Sequence, residues 1–257
     1  YMGVPPLERQ MYLQHNTATA KVNRESCCLF YTSCADTASA AFQSEEAGIV
    51  DVVADEASVL AQIRELVCML PANNEDDMSY EECTDDLNRA CAEIVGCVGD
   101  TSIALSQLAD NGAVFEVKAA YAKEMVTAFI KLNGVTVGAV ANRAELLDEN
   151  FKPVEKFETV LTAAGCEKAT EFVNFCDAFN IPVLSLTNVK GFEATMCSEK
   201  KIAKAVAKLT YAFANATVPK VNVIIGKAFG SAYVAMNSKA IGADMTFAWS
   251  TAQVGMM

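Results

Sequence analysis

A single histidine, His15, is all that this 257-residue sequence offers to histidine-dependent chemistry. A Ser-His-Asp or Cys-His arrangement would have to use it. It lies within residues 1–34, where Pro5-Pro6 blocks a helix and Arg9 to Tyr31 shows no clean period. A surface histidine is the expectation. The ten cysteines, at 27, 28, 34, 68, 83, 91, 97, 166, 176 and 197, contain no C-x-x-C and no zinc-ligand spacing. They read as reduced core thiols of a cytosolic protein, with Cys68 and Cys176 on apolar helix faces. Neither G-x-G-x-x-G nor G-K-[ST] occurs, so nucleotide-phosphate cradles have no support. Positive charge is scarce: 20 Lys and Arg stand against 32 Asp and Glu, for a net charge of −12 and a pI near 4.6. That argues against a nucleic-acid groove and a polybasic membrane patch. No signal peptide is present, and no apolar run reaches ~18 residues, so no bilayer span is expected. The sequence starts at Tyr1 and stops at Met257 in an apolar stretch, which reads as a fragment or a processed piece.

What is present is globular in character, with 52% hydrophobic and 20% charged residues. Ile49 to Val53 is a candidate strand. Asp55-Glu56-Ala57-Ser58 then starts a helix whose stripe is Leu60, Ile63, Val67 and Leu70, widened by Leu66 and ended by Pro71. Residues 72–90, ANNEDDMSYEECTDDLNRA, form an acidic break. They match no EF-hand, and a solvated linker at a domain boundary is favoured over a metal site. From about residue 91 the pattern becomes α/β. A short helix is expected near 101–109 and a strand at Val114–Val117. Tyr121, Met125, Phe129 and Leu132 suggest a helix ending at Asn133-Gly134. A buried strand follows at 135–140, and then a polar loop over 141–158 that contains Pro153. Helix 166–179, strand 183–187, a glycine-bearing turn at 188–192 and a helix from Ser198 to Asn215 complete the series. The last helix carries Ile202, Val206, Leu209 and Phe213 on its core face. Alternating strands and helices predict a mainly parallel, layered sheet. Right-handed crossovers then bring the turns after 183–187 and 221–226 to one edge, where open α/β sheets bind ligands.

The second of those turns is chemically the most suggestive. An apolar run, Val221 to Ile225, leads into Gly226-Lys227-Ala228-Phe229-Gly230-Ser231-Ala232, with a helix expected from Ala232 to Lys239. A strand, a glycine turn and a helix can aim free backbone N–H groups at one point. Such a pair can hold negative charge developing on oxygen. A ligand-free connection would have the same appearance. Phe229, Tyr233 and Trp249 suit core packing or site lining equally. Lys227 is by default a surface lysine, and Asn188 and Gly191 either shape a pocket or close a turn.

The run KLTYAFANATVPKVNVIIGKAFGSAYVAMNSKAIGADMTFAWSTA, residues 208–252, resembles the C-terminal half of biotin-dependent acyl-CoA carboxyltransferase subunits. That family includes propionyl-CoA carboxylase β chains and methylmalonyl-CoA decarboxylase α subunits. ADNGAVFEV (109–117), LNGVTVGAVANR (132–143) and FVNFCDAFNIPVLSL (172–186) resemble it too. EAGIVDVVADEASVLAQIRELVCMLPANN (46–74) is similar to the end of the family's N-terminal domain. The resemblance implies a crotonase-like (ClpP/crotonase) layered α/β fold with a remnant of a second, similar N-terminal domain. Residues 1–34 stay unassigned, 35–90 hold the end of the N-terminal domain plus the acidic linker, and 91–257 form a truncated C-terminal domain.

The family's C-terminal half grips biotin brought by a carrier protein, and its N-terminal half grips acyl-CoA. Its biotin-side oxyanion hole is a Y-G-G-A-Y turn, which here is Phe229-Gly230-Ser231-Ala232-Tyr233. The resemblance thus makes the backbone N–H groups of Ser231 and Ala232 the catalytic donors. Gly191, Phe192, Gly230 and Tyr233 become the biotin-binding residues. The sequence departs from the pattern where Ser231 replaces Gly, with loss of φ > 0 freedom, where Lys190 replaces the Pro of a P-G-F turn, and where a W-P-T-A run is Trp249-Ser250-Thr251-Ala252. The first two departures lean toward the decarboxylase α subunits. The implied chemistry moves a carboxyl group between biotin and a short-chain acyl-CoA of the propionyl or methylmalonyl type. Charge develops on the ureido oxygen and on the thioester oxygen, and no histidine base or bound metal is required. Implied partners are a biotin carboxyl carrier protein, a biotin carboxylase or membrane decarboxylase subunit, and further copies of the chain. A crotonase-like acyl-CoA hydratase or isomerase and a non-catalytic dimerisation module stand as alternatives. The hydratase class needs paired carboxylates that these turns lack.

Overall fold

A computed structural model describes residues 39–76, 82–86, 88–91, 94–97, 99–148 and 150–256. His15 and Cys27, Cys28 and Cys34 lie outside the described residues. The centre is a seven-stranded sheet in the order β1-β2-β3-β7-β9-β10, with β11 also pairing with β9. Its strands are β1 (Val114–Val117), β2 (Met125–Leu132), β3 (Val135–Asn142), β7 (Val183–Val189), β9 (Lys220–Phe229), β10 (Met245–Ala248) and β11 (Gln253–Gly255). β1, β2 and β3 pair antiparallel, while β3, β7, β9 and β10 run parallel. Outside this sheet, β4 (Glu145–Leu147) forms a hairpin with β5 (Pro153–Lys156), and β6 (Val160–Leu161) pairs with β8 (Gly191–Phe192).

The helices are α1 (Ala40–Glu45), α2 (Glu56–Met69), α3 (Thr101–Leu108), α4 (Ala163–Ala178), α5 (Met196–Glu199), α6 (Ile202–Asn215) and α7 (Gly230–Ala235). α4 and α6 close one face of the sheet, burying Phe172, Val173, Leu209 and Phe213 with Phe129, Val140 and Val183. Leu105 on α3 covers the other face, against Val126, Ile130, Ala139, Leu186 and Ile225. The chain that enters each side is chemically tied. Asp100 caps α3 and also pairs with Arg143, both side chains being 2% exposed. Lys220, 5% exposed, donates its Nζ protons to the carbonyls of Phe213 and Ala216 at 2.8 and 2.7 Å. A cation thus meets the negative end of α6.

Several expectations change. The residues expected to make a helix up to Leu132 instead form β2. Met125 to Ile130 are all buried, because a central strand contacts apolar layers on both faces. The four-residue spacing within such a continuous run imitates a helical stripe. Asn133-Gly134 is a hairpin turn rather than a helix cap: both residues have positive φ, 52° and 77°, as a type I′ turn requires. The Asp110 carboxylate accepts both of their N–H groups. No strand forms at 49–53, where Ile49 and Val53 are about half exposed. α2 forms as expected, with Asp55 accepting the Ser58 N–H. However, Leu60, Ile63 and Val67 face outward at 66%, 51% and 67% exposure, and Cys68 is exposed as well. Of the expected stripe only Leu66 and Leu70 pack on the core, joined by the buried Met69. Residues 141–158 contain the β4–β5 hairpin rather than a plain loop. The helix expected over 198–215 is broken at Lys200-Lys201 into α5 and α6.

Candidate active site

β7 and β9 bring their C-terminal ends to the same edge, and the sheet register slips there. Val183 to Thr187 pair with Lys220 to Ile224, after which Val189 pairs with Ala228. Gly226 and Lys227 fall in the slip. A Cβ on Gly226 would lie 2.5 Å from Asn188 Oδ1, so only glycine lets that side chain cross. Asn188 Oδ1 accepts the Lys227 N–H at 3.0 Å. The Asn188 N–H donates to Asn142 Oδ1 at 3.2 Å, and Asn142 ends β3. One side chain therefore clamps the edge of β9 to β7, and its backbone holds β3. Asn188 closes the turn.

Beyond the slip, β9 continues to Phe229, held by β11 on its far side. Gly230 then adopts φ +57° and the chain enters α7 at once. Ser231 has no positive φ. The left-handed conformation falls on Gly230, so serine fits at position 231 without strain. α7 has six residues, Phe229 is its N-cap, and no side chain caps it. The N–H groups of Ser231 and Ala232 lie in its first turn, where no helical acceptor exists. Ser231 is exposed, whereas the Ala232 side chain is 1% exposed and packs into the core beneath. The Ala232 methyl group anchors the turn to that core.

β8 lies against α7 and brings Gly191 and Phe192 beside this turn. It is fixed there by parallel pairing with β6 and by hydrogen bonds from Lys190 N–H to Thr159 O and from Glu193 N–H to Leu161 O. Phe192 and Tyr233 are half-buried and both pack on the core cluster that contains Ala232. Burial also pushes the Tyr233 phenol above its ordinary pKa, which keeps it neutral. The structure therefore gathers Gly191, Phe192, Gly230, Ser231, Ala232 and Tyr233 in one place. Trp249 is not part of the group. It packs with Leu184 and Val223 on the opposite face of the sheet.

Two further features belong elsewhere. A cavity of about 410 Å³ between α2 and the sheet is lined by Leu66, Phe129, Phe172 and Lys168. Lys168 is 2% exposed and donates to the Tyr121 carbonyl at 2.8 Å; burial lowers its pKa to about 8. Burial pushes the Cys166 thiol up to about 12 and the Cys176 thiol up as well, which makes both inert.

Sequence reasoning missed the polar layer beneath α7. Ser185, Thr187, Asn222 and Asn237 are each 0% exposed and hydrogen-bonded in two pairs, Thr187 with Asn222 and Asn237 with Ser185. The available signal was Asn222, an amide inside the otherwise apolar run Val221 to Ile225.

The chain matches the carboxyl transferase domain family over residues 33–257. It is 35% identical over 217 residues to the methylmalonyl-CoA decarboxylase subunit alpha of Propionigenium modestum, covering 79% of this chain and 39% of that protein. It is 37% identical over 210 residues to the methylmalonyl-CoA carboxyltransferase 12S subunit of Propionibacterium freudenreichii subsp. shermanii, covering 79% and 38%. Among solved structures, transcarboxylase 12S with hydrolysed methylmalonyl-coenzyme A bound superposes with a TM-score of 0.73 at 34% identity. That match covers 83% of this chain and 41% of the other. The chain thus spans about two-fifths of the length of these relatives.

Proposed function

The chain belongs to the carboxyl transferase domain family, with its crotonase-like fold, and on that premise we propose that it forms the biotin-side half of an acyl-CoA carboxyltransferase site. The observation that carries this reading is the pair of uncapped first-turn N–H groups at Ser231 and Ala232, set at the sheet edge beside Gly191-Phe192. When bound, biotin supplies the ureido group whose nitrogen carries the carboxyl and whose oxygen gathers charge as the carboxyl leaves. Two backbone donors with no competing acceptor suit that oxygen, which accepts and does not donate. Because the buried Ala232 side chain fixes the turn, the donors need little reorganisation as charge appears, and each is worth about 3 kcal/mol of barrier. Phe192 and Tyr233 present half-buried aromatic surface beside the donors, suited to excluding water from one flank.

The acyl group is proposed from the relatives. The proteins matched act on methylmalonyl-CoA by name, so a propionyl or methylmalonyl thioester is the proposed substrate class. Residues 35–90 are proposed as the end of an N-terminal domain plus linker, with most of the acyl-CoA half supplied by chain beyond this sequence. A biotin carrier protein and further copies of the chain are the proposed partners; the transcarboxylase 12S structure is itself described as a hexamer assembly. A biotin carboxylase or membrane decarboxylase subunit is a further proposed partner; among the described residues no helix is long and apolar enough to cross a membrane.

The test is biotin-dependent decarboxylation of methylmalonyl-CoA by the full-length enzyme and its Ala232→Pro variant. Proline deletes one donor, and kcat is expected to fall by about 10²–10³-fold. Unchanged turnover would refute the donor assignment. Hydration of an enoyl-CoA without any biotin requirement would instead establish a hydratase, and dimers with no turnover would leave an assembly role.

A further inference from the structure

α7 has six residues, and a helix that short cannot hold its own geometry in water. Something outside it must fix the direction of its first-turn N–H groups. Its entrance is continuous with β9 through Gly230. Its exit is held by two buried amides. Asn222, near the start of β9, donates Nδ2–H to the Met236 carbonyl at 3.1 Å, and Met236 is the residue that closes α7. A carbonyl accepts only, so this bond fixes which end of the amide faces the helix. The other end, Oδ1, accepts the Thr187 hydroxyl from β7 at 2.8 Å. The next residue, Asn237, sits at φ +52° and donates its own amide to Ser185 Oγ on β7 at 3.1 Å. Asn222, Thr187, Ser185 and Asn237 are all 0% exposed.

Such a layer is a costly choice at the centre of a sheet. An apolar residue at position 222 would pack beneath α7 without burying an amide that needs two partners. What the amide adds is direction: its bonds are specified in angle as well as distance, whereas apolar contact leaves a short helix free to slide or roll. We infer that Asn222, oriented by Thr187, is a positioning residue that sets the aim of the Ser231 and Ala232 N–H groups by pinning the far end of α7 to β7 and β9. The inference rests on those two groups being the donors. Asn222 does not touch the substrate; it acts through the helix.

The test uses the full-length enzyme in its assembled form, with methylmalonyl-CoA and free biotin. Thr187→Val keeps the shape of the side chain and removes only the hydroxyl that orients Asn222. Thr187→Ser restores the hydroxyl and removes a methyl group. Thr187→Val is expected to lower kcat by about 10-fold, and Asn222→Ala by up to about 100-fold, the scale of a small misplacement in a preorganised site. Thr187→Ser should return kcat to within about twofold of wild type, and KM for methylmalonyl-CoA should hold in every variant. A merely structural role would lower the amount of folded enzyme without separating kcat from KM, and would not distinguish valine from serine. If Thr187→Val retains wild-type kcat while Ala232→Pro has lost it, the positioning role is overturned and the donor reading stands. If Ala232→Pro retains kcat, the donor reading fails, and the positioning role fails with it. Should Asn222→Ala not fold, the Thr187→Val and Thr187→Ser pair alone decides.

Discussion

Gly226 sits where β9 departs from its register with β7, and replacing it by alanine tests the clamp beside the candidate site. The new Cβ would lie 2.5 Å from Asn188 Oδ1 and 2.8 Å from its Cγ. No left-handed φ is recorded at Gly226, so the backbone tolerates alanine and the whole effect comes from the collision. Asn188 is short and half-buried, and it can rotate away, but only by releasing the Lys227 N–H. That hydrogen bond is worth about 1 kcal/mol. The residual crowding adds about another 1 kcal/mol, the low end for inserting a methyl group, because the obstacle is a side-chain tip. Gly226→Ala is therefore expected to lose about 2 kcal/mol. In the Asn188→Ala background the collision disappears, so the same glycine substitution should cost close to nothing. A urea-denaturation double-mutant cycle on the full-length protein reads this as about 1–2 kcal/mol of coupling. Purely additive losses would refute the clamp. So would a Gly226→Ala protein as stable as wild type.

Lys220→Met should cost about 3 kcal/mol or more in a denaturation midpoint, because it leaves the Phe213 and Ala216 carbonyls buried without their charged donor; a loss under about 1 kcal/mol would show that those carbonyls find other partners. Lys168 gives a pH signature. Burial holds its amine near 8 instead of 10.5, so between those values the unfolded chain binds a proton that the folded chain has released. Stability from this group therefore rises with pH across that window. Lys168→Met lacks the increment, so the wild-type-minus-variant stability difference should grow from pH 8 to pH 10.5. The raised thiols push stability the other way but cancel in the subtraction, and a flat difference would contradict the buried amine.

Local cues in the sequence were enough for elements whose signals do not depend on neighbours. The Asp55 cap and Pro71 bracket α2, the apolar stripe of Leu209 and Phe213 identifies α6, and the alternation of strands with helices implies the parallel part of the sheet. A glycine turn between strand and helix was legible because glycines there carry a backbone meaning of their own. It is shorter than the expected Gly226–Ala232: β9 runs on to Phe229, only Gly230 turns, and the helix occupies 230–235 rather than 232–239. Where the outcome depended on what lies across the fold, the reading failed. β2 looked helical because a strand buried on both faces loses its alternation, and no local residue reports how many layers cover it. Leu60, Ile63 and Val67 looked like a core face, yet α2 docks through Leu66 and Met69. Asn222 drew no reading inside the run Val221 to Ile225, because its partners, Met236 and Thr187, lie elsewhere in the chain.

The sequence by itself therefore determined the chemistry on offer: an acidic chain with one histidine and a glycine turn able to present N–H groups to an oxyanion. The tertiary structure decided the rest. It placed the left-handed residue at Gly230, so that Ser231 fits a position where the family resemblance shows glycine. It brought Gly191 and Phe192 from another strand end, and it set a buried amide layer under a helix too short to stand alone. Hydrogen-bond direction and burial are properties of residues far apart in the chain, and they exist only once β7, β9 and α7 have come together.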